Sequence, residues 1–130
     1  MFIDLDEFKE INDQRGHNIG DEVLKCITDR LLGLVRSTDL VARLGGDEFT
    51  IIMNQVSSDA DLEIIVQKIL SAVQSPIQLD GFTASVSASI GVVTCPGDGF
   101  NADELLNKSD RAMYVAKAKG KNQWQRYQSS

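Results

Sequence analysis

Residues 43–49 read Arg-Leu-Gly-Gly-Asp-Glu-Phe, and the chain opens Phe2-Ile3-Asp4-Leu5-Asp6. An apolar run that ends in an aspartate is a strand delivering a carboxylate. Two glycines followed by two acids, between the apolar runs 40–44 and 49–53, are a tight hairpin delivering two more. Carboxylates from two strand ends suit a hard divalent cation such as Mg²⁺, and glycines let a nucleoside triphosphate approach the backbone. Gly45-Gly46-Asp47-Glu48 taken alone is more often a plain turn than a catalytic site. Yet a turn needs no second carboxylate, and an adjacent Asp-Glu pair repels itself unless something cationic is near. With Asp4 available from another strand, metal binding is the better reading. Asp4 and Asp6 are expected to project to opposite faces, with Asp4 entering the site and Asp6 solvated or capping the next helix. An EF-hand reading fails, because Phe8 takes the third ligand position and Arg15 the place of the bidentate glutamate.

Four further groups carry chemistry or its bland equivalent. Asn12 and Asp21 flank the turn Gly16-His17-Asn18. Asp21 reads either as a first-turn charge favoured by the helix dipole or, with Asn12, as a partner for guanine's N1–H and N2–H₂ donors. His17 is the single histidine, and without a second histidine or a suitably spaced cysteine zinc is disfavoured. Lys117, Lys119 and Lys121 surround a helix end, where cations are the expected complement of the dipole; Lys117 and Lys121 can also reach phosphates. Arg36 and Asp39, at the end of the long helix and just before the hairpin, read by default as an exposed ion pair.

The elements that must position these residues follow from pattern. Residues 2–4 form a short strand, and residues 7–15 a polar helical segment ending at Gly16. Asn18-Ile19-Gly20-Asp21 starts a long helix with Val23, Leu24, Ile27, Leu31, Leu34 and Val35 on one face. Ser58 caps a second long helix that Pro76 stops. Residues 83–93 alternate strictly, so they read as one strand with a buried face and a small polar face. Asn101-Ala102-Asp103-Glu104 is a capping box opening a third long helix, and residues 122–127 are a final edge strand. Hairpins separated by helices imply an α/β (α+β) domain with a mixed, largely antiparallel sheet.

The chain has 130 residues, enough for one domain with a real core. Its net charge of −6 argues against a nucleic-acid polymer or an anionic membrane as main partner. No apolar stretch is long enough to span a bilayer and no signal peptide is visible. Cys26 and Cys95 lack metal spacing and read as reduced thiols, which points to a cytoplasmic domain.

Nearly the whole chain resembles the GGDEF family of diguanylate cyclases. The resemblance runs through residues 2–4, Phe8-Lys9-Glu10-Ile11-Asn12-Asp13, Gly16-His17, Gly20-Asp21 and residues 43–49. It continues in Ala88-Ser89-Ile90-Gly91-Val92, Ala112-Met113-Tyr114, Ala116-Lys117 and Gly120-Lys121-Asn122. It implies a ferredoxin-like palm that condenses two GTP into cyclic di-GMP and two pyrophosphates. By resemblance, Asp4, Asp47 and the Leu5 carbonyl would bind Mg²⁺, with Mn²⁺ as the alternative ion, and Glu48 would complete the acidic site. Asn12 and Asp21 would bind guanine, with His17 also at the substrate. Phe8 and Lys9 would border the phosphates, and Lys117 and Lys121 would hold the outer ones. Arg36 and Asp39 match an RxxD motif where product binds and inhibits, which moves that pair from chance ion pair towards regulation. Relative to the family, residues 1–130 form a single GGDEF domain lacking an upstream helix and the start of the first strand. The tail resembles members that continue into an EAL phosphodiesterase domain, so sensory or EAL neighbours are expected in a full-length protein, which could itself be membrane-anchored.

Three functions compete on this reading. One is a cyclase working as a homodimer. A second is a regulatory module that senses GTP or cyclic di-GMP for a neighbouring domain; its mark would be a lost acidic ligand, and none is lost. A pure dimerisation scaffold would leave Asn12, Asp21 and Arg36 unexplained.

Overall fold

Side-chain parity along the first strand organises the molecule. In a computed structural model describing residues 1–128, β1 spans Phe2–Asp6. Its Ile3 and Leu5 enter a core shared with two long helices, while Phe2, Asp4 and Asp6 face the other way. Two helices follow, α1 (Phe8–Arg15) and α2 (His17–Leu34), then the hairpin β2 (Leu40–Gly45) and β3 (Glu48–Ile52). Helix α3 (Asp59–Gln74) leads to a small hairpin, β4 (Ile77–Leu79) and β5 (Phe82–Ala84). The chain finishes with β6 (Ser87–Val92), α4 (Ala102–Ala118) and β7 (Gln123–Arg126).

The main sheet has the order β2-β3-β1-β6-β7. All its pairs are antiparallel except β6 with the edge strand β7. The run β1–helix–β2–β3–helix–β6 with β1 and β3 at the centre is the ferredoxin-like arrangement, so the expected mixed and mostly antiparallel sheet is what forms. Helices α2 and α3 bury Val23, Leu24, Ile27, Leu31, Leu62, Val66, Ile69 and Val73 against Ile3, Leu5, Phe49, Ile51, Ala88 and Ile90. Helix α4 covers the opposite face over β1, β6 and β7. On that side the cover stops short of the hairpin, where Leu40, Leu44 and Ile52 are about half exposed. Among the described residues no helix is long and apolar enough to cross a membrane.

Local signals placed most of the helix ends. Ser58 Oγ accepts from the Asp61 amide, and Asn101 Oδ1 accepts from the amides of Asp103 and Glu104. Several boundaries differ from expectation, the first being β1, which runs on to Asp6 rather than stopping at Asp4. Helix α2 begins at His17, directly after Gly16 at φ +90°, so Asp21 sits in its second turn rather than its first. The helix ends at Leu34, which leaves Arg36 and Asp39 in the turn entering β2. The single strand expected over 83–93 is two strands. Ile77 pairs with Ala84 in the small hairpin, whereas Ser87 to Val92 pair with β1 and β7, so the chain changes sheets at Ser85-Val86.

The small polar face of β6 is buried too. Ser89 is fully buried, and α4 lies so close over Gly91 that a Cβ there would sit 1.9 Å from the Ser109 carbonyl oxygen. Small residues at these positions are the seat of a helix as well as a polar face.

Candidate active site

The carboxylates meet where β1 and the β2–β3 hairpin end. Asp4 lies directly across from Glu48 on one side and Ser89 on the other. The Leu5 amide donates to the Asp47 carbonyl at 3.1 Å, which ties the hairpin tip to the end of β1. At that tip Gly46 has φ +47°, a conformation L side chains rarely adopt, and the Arg43 Nε–H caps its carbonyl at 3.0 Å. The Leu5 side chain is in the core, so only its backbone is available to a ligand.

Asp4 and Asp6 do not project to opposite faces. Residues two apart on a strand share a face, and the Lys117 Nζ of α4 lies 3.0 Å from Asp4 Oδ2 and 3.8 Å from Asp6 Oδ1. Nor is Asp6 solvated or capping α1. It is 1% exposed and accepts from Ser87 Oγ at 2.7 Å, Ser89 Oγ at 2.7 Å and the Asn122 amide at 3.0 Å. Glu7 takes the position before α1, without a side-chain cap.

Charge at this end is held in tension. Burial pushes the Asp4 carboxyl up to about 6; the Lys117 ammonium opposes this, and the negative charges of Asp47 and Glu48 add to it. Partial burial pulls the Lys117 ammonium down, but Asp4, Asp6 and Asp47 outweigh it and hold Lys117 above its ordinary value. Asp4 Oδ1 is buried with no hydrogen-bond donor. Among the described residues no three acidic, histidine or cysteine side chains stand as a ready-made cage. The chemistry nonetheless fits a hard divalent cation: an orphaned carboxylate oxygen, two further carboxylates beside it, and oxygen donors throughout.

The other predicted residues occupy the neighbouring α1–α2 corner. Asn12 packs directly on α2, where a Cβ at Gly20 would sit 1.7 Å from Asn12 Oδ1, so glycine allows the two helices to approach. That Oδ1 is buried and has no donor, and Gly20, on which it packs, is followed in the chain by the exposed Asp21. Asp21 and Arg43 share a surface depression of about 380 Å³ between α2 and the hairpin. His17 and Lys9 are exposed, while Phe8 is in the core beneath Gly20. Lys121 is exposed, with φ +64°, in the turn after α4.

Arg36 and Asp39 lie apart from the acids and hold a turn. Asp39 accepts from the amides of Asn54 (3.0 Å) and Arg36 (2.9 Å), and from the Arg36 guanidinium at 3.3 Å. The Asn54 and Arg36 amides and then the guanidinium hold the Asp39 carboxyl below its ordinary value. The Arg36 guanidinium also reaches the Asn54 carbonyl, and its side chain is 55% exposed.

Sequence reasoning missed the roles of Asp6, Ser87, Ser89 and Asn122. The signal was present in strand parity: Asp6 shares a face with Asp4, and the serines of β6 lie opposite them in register.

Strand-end carboxylates thus meet a lysine at one end of a ferredoxin-like sheet. The chain belongs to the GGDEF family, since residues 1–123 match its model, described as "Diguanylate cyclase, GGDEF domain". It is 48% identical over 118 residues to the diguanylate cyclase TpbB of Pseudomonas aeruginosa, which covers 90% of this chain and 27% of that protein. It is 41% identical over 122 residues to the cyclic di-GMP phosphodiesterase NbdA of the same species, covering 94% of this chain and 16% of that one. The crystal structure of the TpbB GGDEF domain superposes with a TM-score of 0.94 at 43% identity, covering 99% of this chain and 81% of that one. The chain thus spans between a sixth and about a quarter of the length of these curated relatives.

Proposed function

We propose that this domain binds GTP with a divalent cation and that two copies condense two GTP into cyclic di-GMP and two pyrophosphates. The observation that carries the reading is the convergence of Asp4, Asp47 and Glu48 at one sheet end, with an orphaned carboxylate oxygen among them. Asp4, Asp47 and the Leu5 carbonyl are the groups that would hold Mg²⁺ or Mn²⁺, with Glu48 beside them. The ion supplies Lewis-acid stabilisation of phosphoryl charge when bound. Asn12 and Asp21 orient guanine, with His17 at the edge of the same corner. Lys9, the Phe8 backbone, Lys117 and Lys121 meet the phosphates.

In the reaction the 3′-oxygen of one GTP forms a bond to the α-phosphorus of the other, and the bond from that phosphorus to the leaving pyrophosphate breaks. Asp47 takes up the hydroxyl proton. The same exchange in the reverse sense closes the ring. Each copy contributes one nucleotide, so two must face each other. Arg36 offers a planar fork to a phosphate or a guanine of the product, and Asp39 sits beside it; this is the site for product inhibition.

A second reading has a specific support: NbdA, nearly as similar, carries the name of a phosphodiesterase. Under it the domain binds GTP and regulates an attached EAL domain. Both readings require guanine selectivity. A carboxylate facing guanine's donors meets an acceptor in adenine, at a cost of about 1–3 kcal/mol. Calorimetry should therefore show GTP binding at least several-fold tighter than ATP in the presence of Mg²⁺. Equal affinities would remove Asn12 and Asp21 from base recognition.

A further inference from the structure

We propose that Asp6 is a positioning residue for the triphosphate end of the site: it fixes the turn that carries Lys121 and retains the Lys117 ammonium at the strand end. This rests on the GTP reading above and extends it to a residue that touches no ligand. The Asp6 carboxylate is buried, and four groups from β6, α4 and the α4–β7 turn already surround it: Ser87, Ser89, the Asn122 amide and Lys117. A carboxylate so saturated is not a spare cation ligand.

Its partners point to its work. Between α4 and β7 the chain turns through Gly120, Lys121 and Asn122, all at positive φ (+124°, +64° and +49°). Glycine takes such angles readily, whereas Lys121 and Asn122 must be held there. Two anchored amides hold them. The Lys121 amide donates to the Ala116 carbonyl at 3.1 Å, and the Asn122 amide donates to Asp6 at 3.0 Å. The second bond ends on a buried full charge and is the stronger kind. Lys121 is therefore presented from between two fixed points, one of them made by Asp6. Lys117 touches both aspartates. When Asp4 turns to a cation, Asp6 remains as the anion that keeps the lysine at the same end.

The alternative is a staple that serves only folding. Length of the phosphate chain separates the two. Titrate the wild-type chain with 3′-deoxy-GTP, which lacks the attacking hydroxyl, and with GMP, both with Mg²⁺. The wild type should bind the triphosphate at least roughly tenfold tighter. Asp6→Asn should lose roughly tenfold on the triphosphate and stay within about twofold on GMP. Ser87→Ala, which leaves the charge and the Asn122 contact in place, should change neither by more than about twofold. Equal loss on both ligands in Asp6→Asn makes Asp6 a folding residue and overturns the proposal, as does no loss on either. If the wild type binds the triphosphate no tighter than GMP, the phosphate site itself is wrong, and the proposal falls with it. Should Asp6→Asn fail to fold, the wild type decides by NMR. The Asn122 amide proton should exchange slowly and shift with 3′-deoxy-GTP but not with GMP; an equal shift with GMP overturns the assignment.

Discussion

Asp4 sets the acid–base behaviour of the site. Its carboxyl is raised to about 6 from an ordinary 3.8 because the folded chain buries it among other negative charges. The sign follows directly. The fold favours the protonated form, so without cation Asp4 is tolerated best below about pH 4, and ionising it erodes stability as pH rises towards 6. A cation needs the ionised form, so its affinity runs the other way. Mg²⁺ binding should strengthen roughly tenfold from pH 5 to 7 and level off above, read by calorimetry on the chain without nucleotide. In Asp4→Asn it should be weak and nearly flat with pH. A wild-type affinity that does not change across that range would take Asp4 out of the cation site. At this scale the sequence was legible in kind: the acids Asp4, Asp47 and Glu48, and their distance from Asn12 and Asp21 along the chain, were readable from residue type. What Asp6 does was not, because its partners Ser87, Ser89 and Asn122 lie more than 80 residues away.

The elements explain why so many small residues surround the acids. Helix α4 must approach β6 closely to bring Lys117 over Asp4, and Gly91 makes that approach possible. In Gly91→Ala the new methyl would meet the α4 backbone at Ser109 and Met113, and neither can rotate away. The variant should lose about 1–3 kcal/mol, visible as a thermal midpoint lower by several degrees. An unchanged midpoint would mean that α4 does not sit as described. The turn before β2 is a second element with a separate task. Asp39 is committed to the amides of Asn54 and Arg36, and the Arg36 guanidinium braces on Asp39 and the Asn54 carbonyl while its side chain stays 55% exposed. Arg36→Ala should lose micromolar binding of cyclic di-GMP, roughly −8 kcal/mol, and keep its affinity for GTP. If the variant binds cyclic di-GMP as well as the wild type does, the pair only braces the turn. Helices and the GG hairpin were legible because capping residues and periodicity are local. The division of residues 83–93 was not: an unbroken alternation does not show that Ile77 claims Ala84 while β1 claims Ser87 onward.

Across the whole molecule, the proposed reaction asks of each copy one set of acids, the Asn12–Asp21 corner and the Lys117–Lys121 pair, and so one of the two nucleotides. A mixed, mostly antiparallel sheet was legible from the order of strand and helix signals, whereas the ferredoxin-like topology followed only from the resemblance of the motifs to the GGDEF family. Assembly was not, because it depends on surfaces that only a second copy would cover. Whether the sheet-end carboxylates, in paired copies, turn GTP into a cyclic dinucleotide is decided by incubating the chain with GTP and Mg²⁺ over a range of protein concentrations and separating the products by chromatography. Cyclic di-GMP and pyrophosphate should appear in a 1:2 ratio, with a rate per chain that rises with concentration, and Asp47→Asn should lower that rate by roughly 10²-fold or more. GTP that binds tightly yet stays intact at every concentration, or turnover that survives Asp47→Asn, would rule out this reaction at these carboxylates.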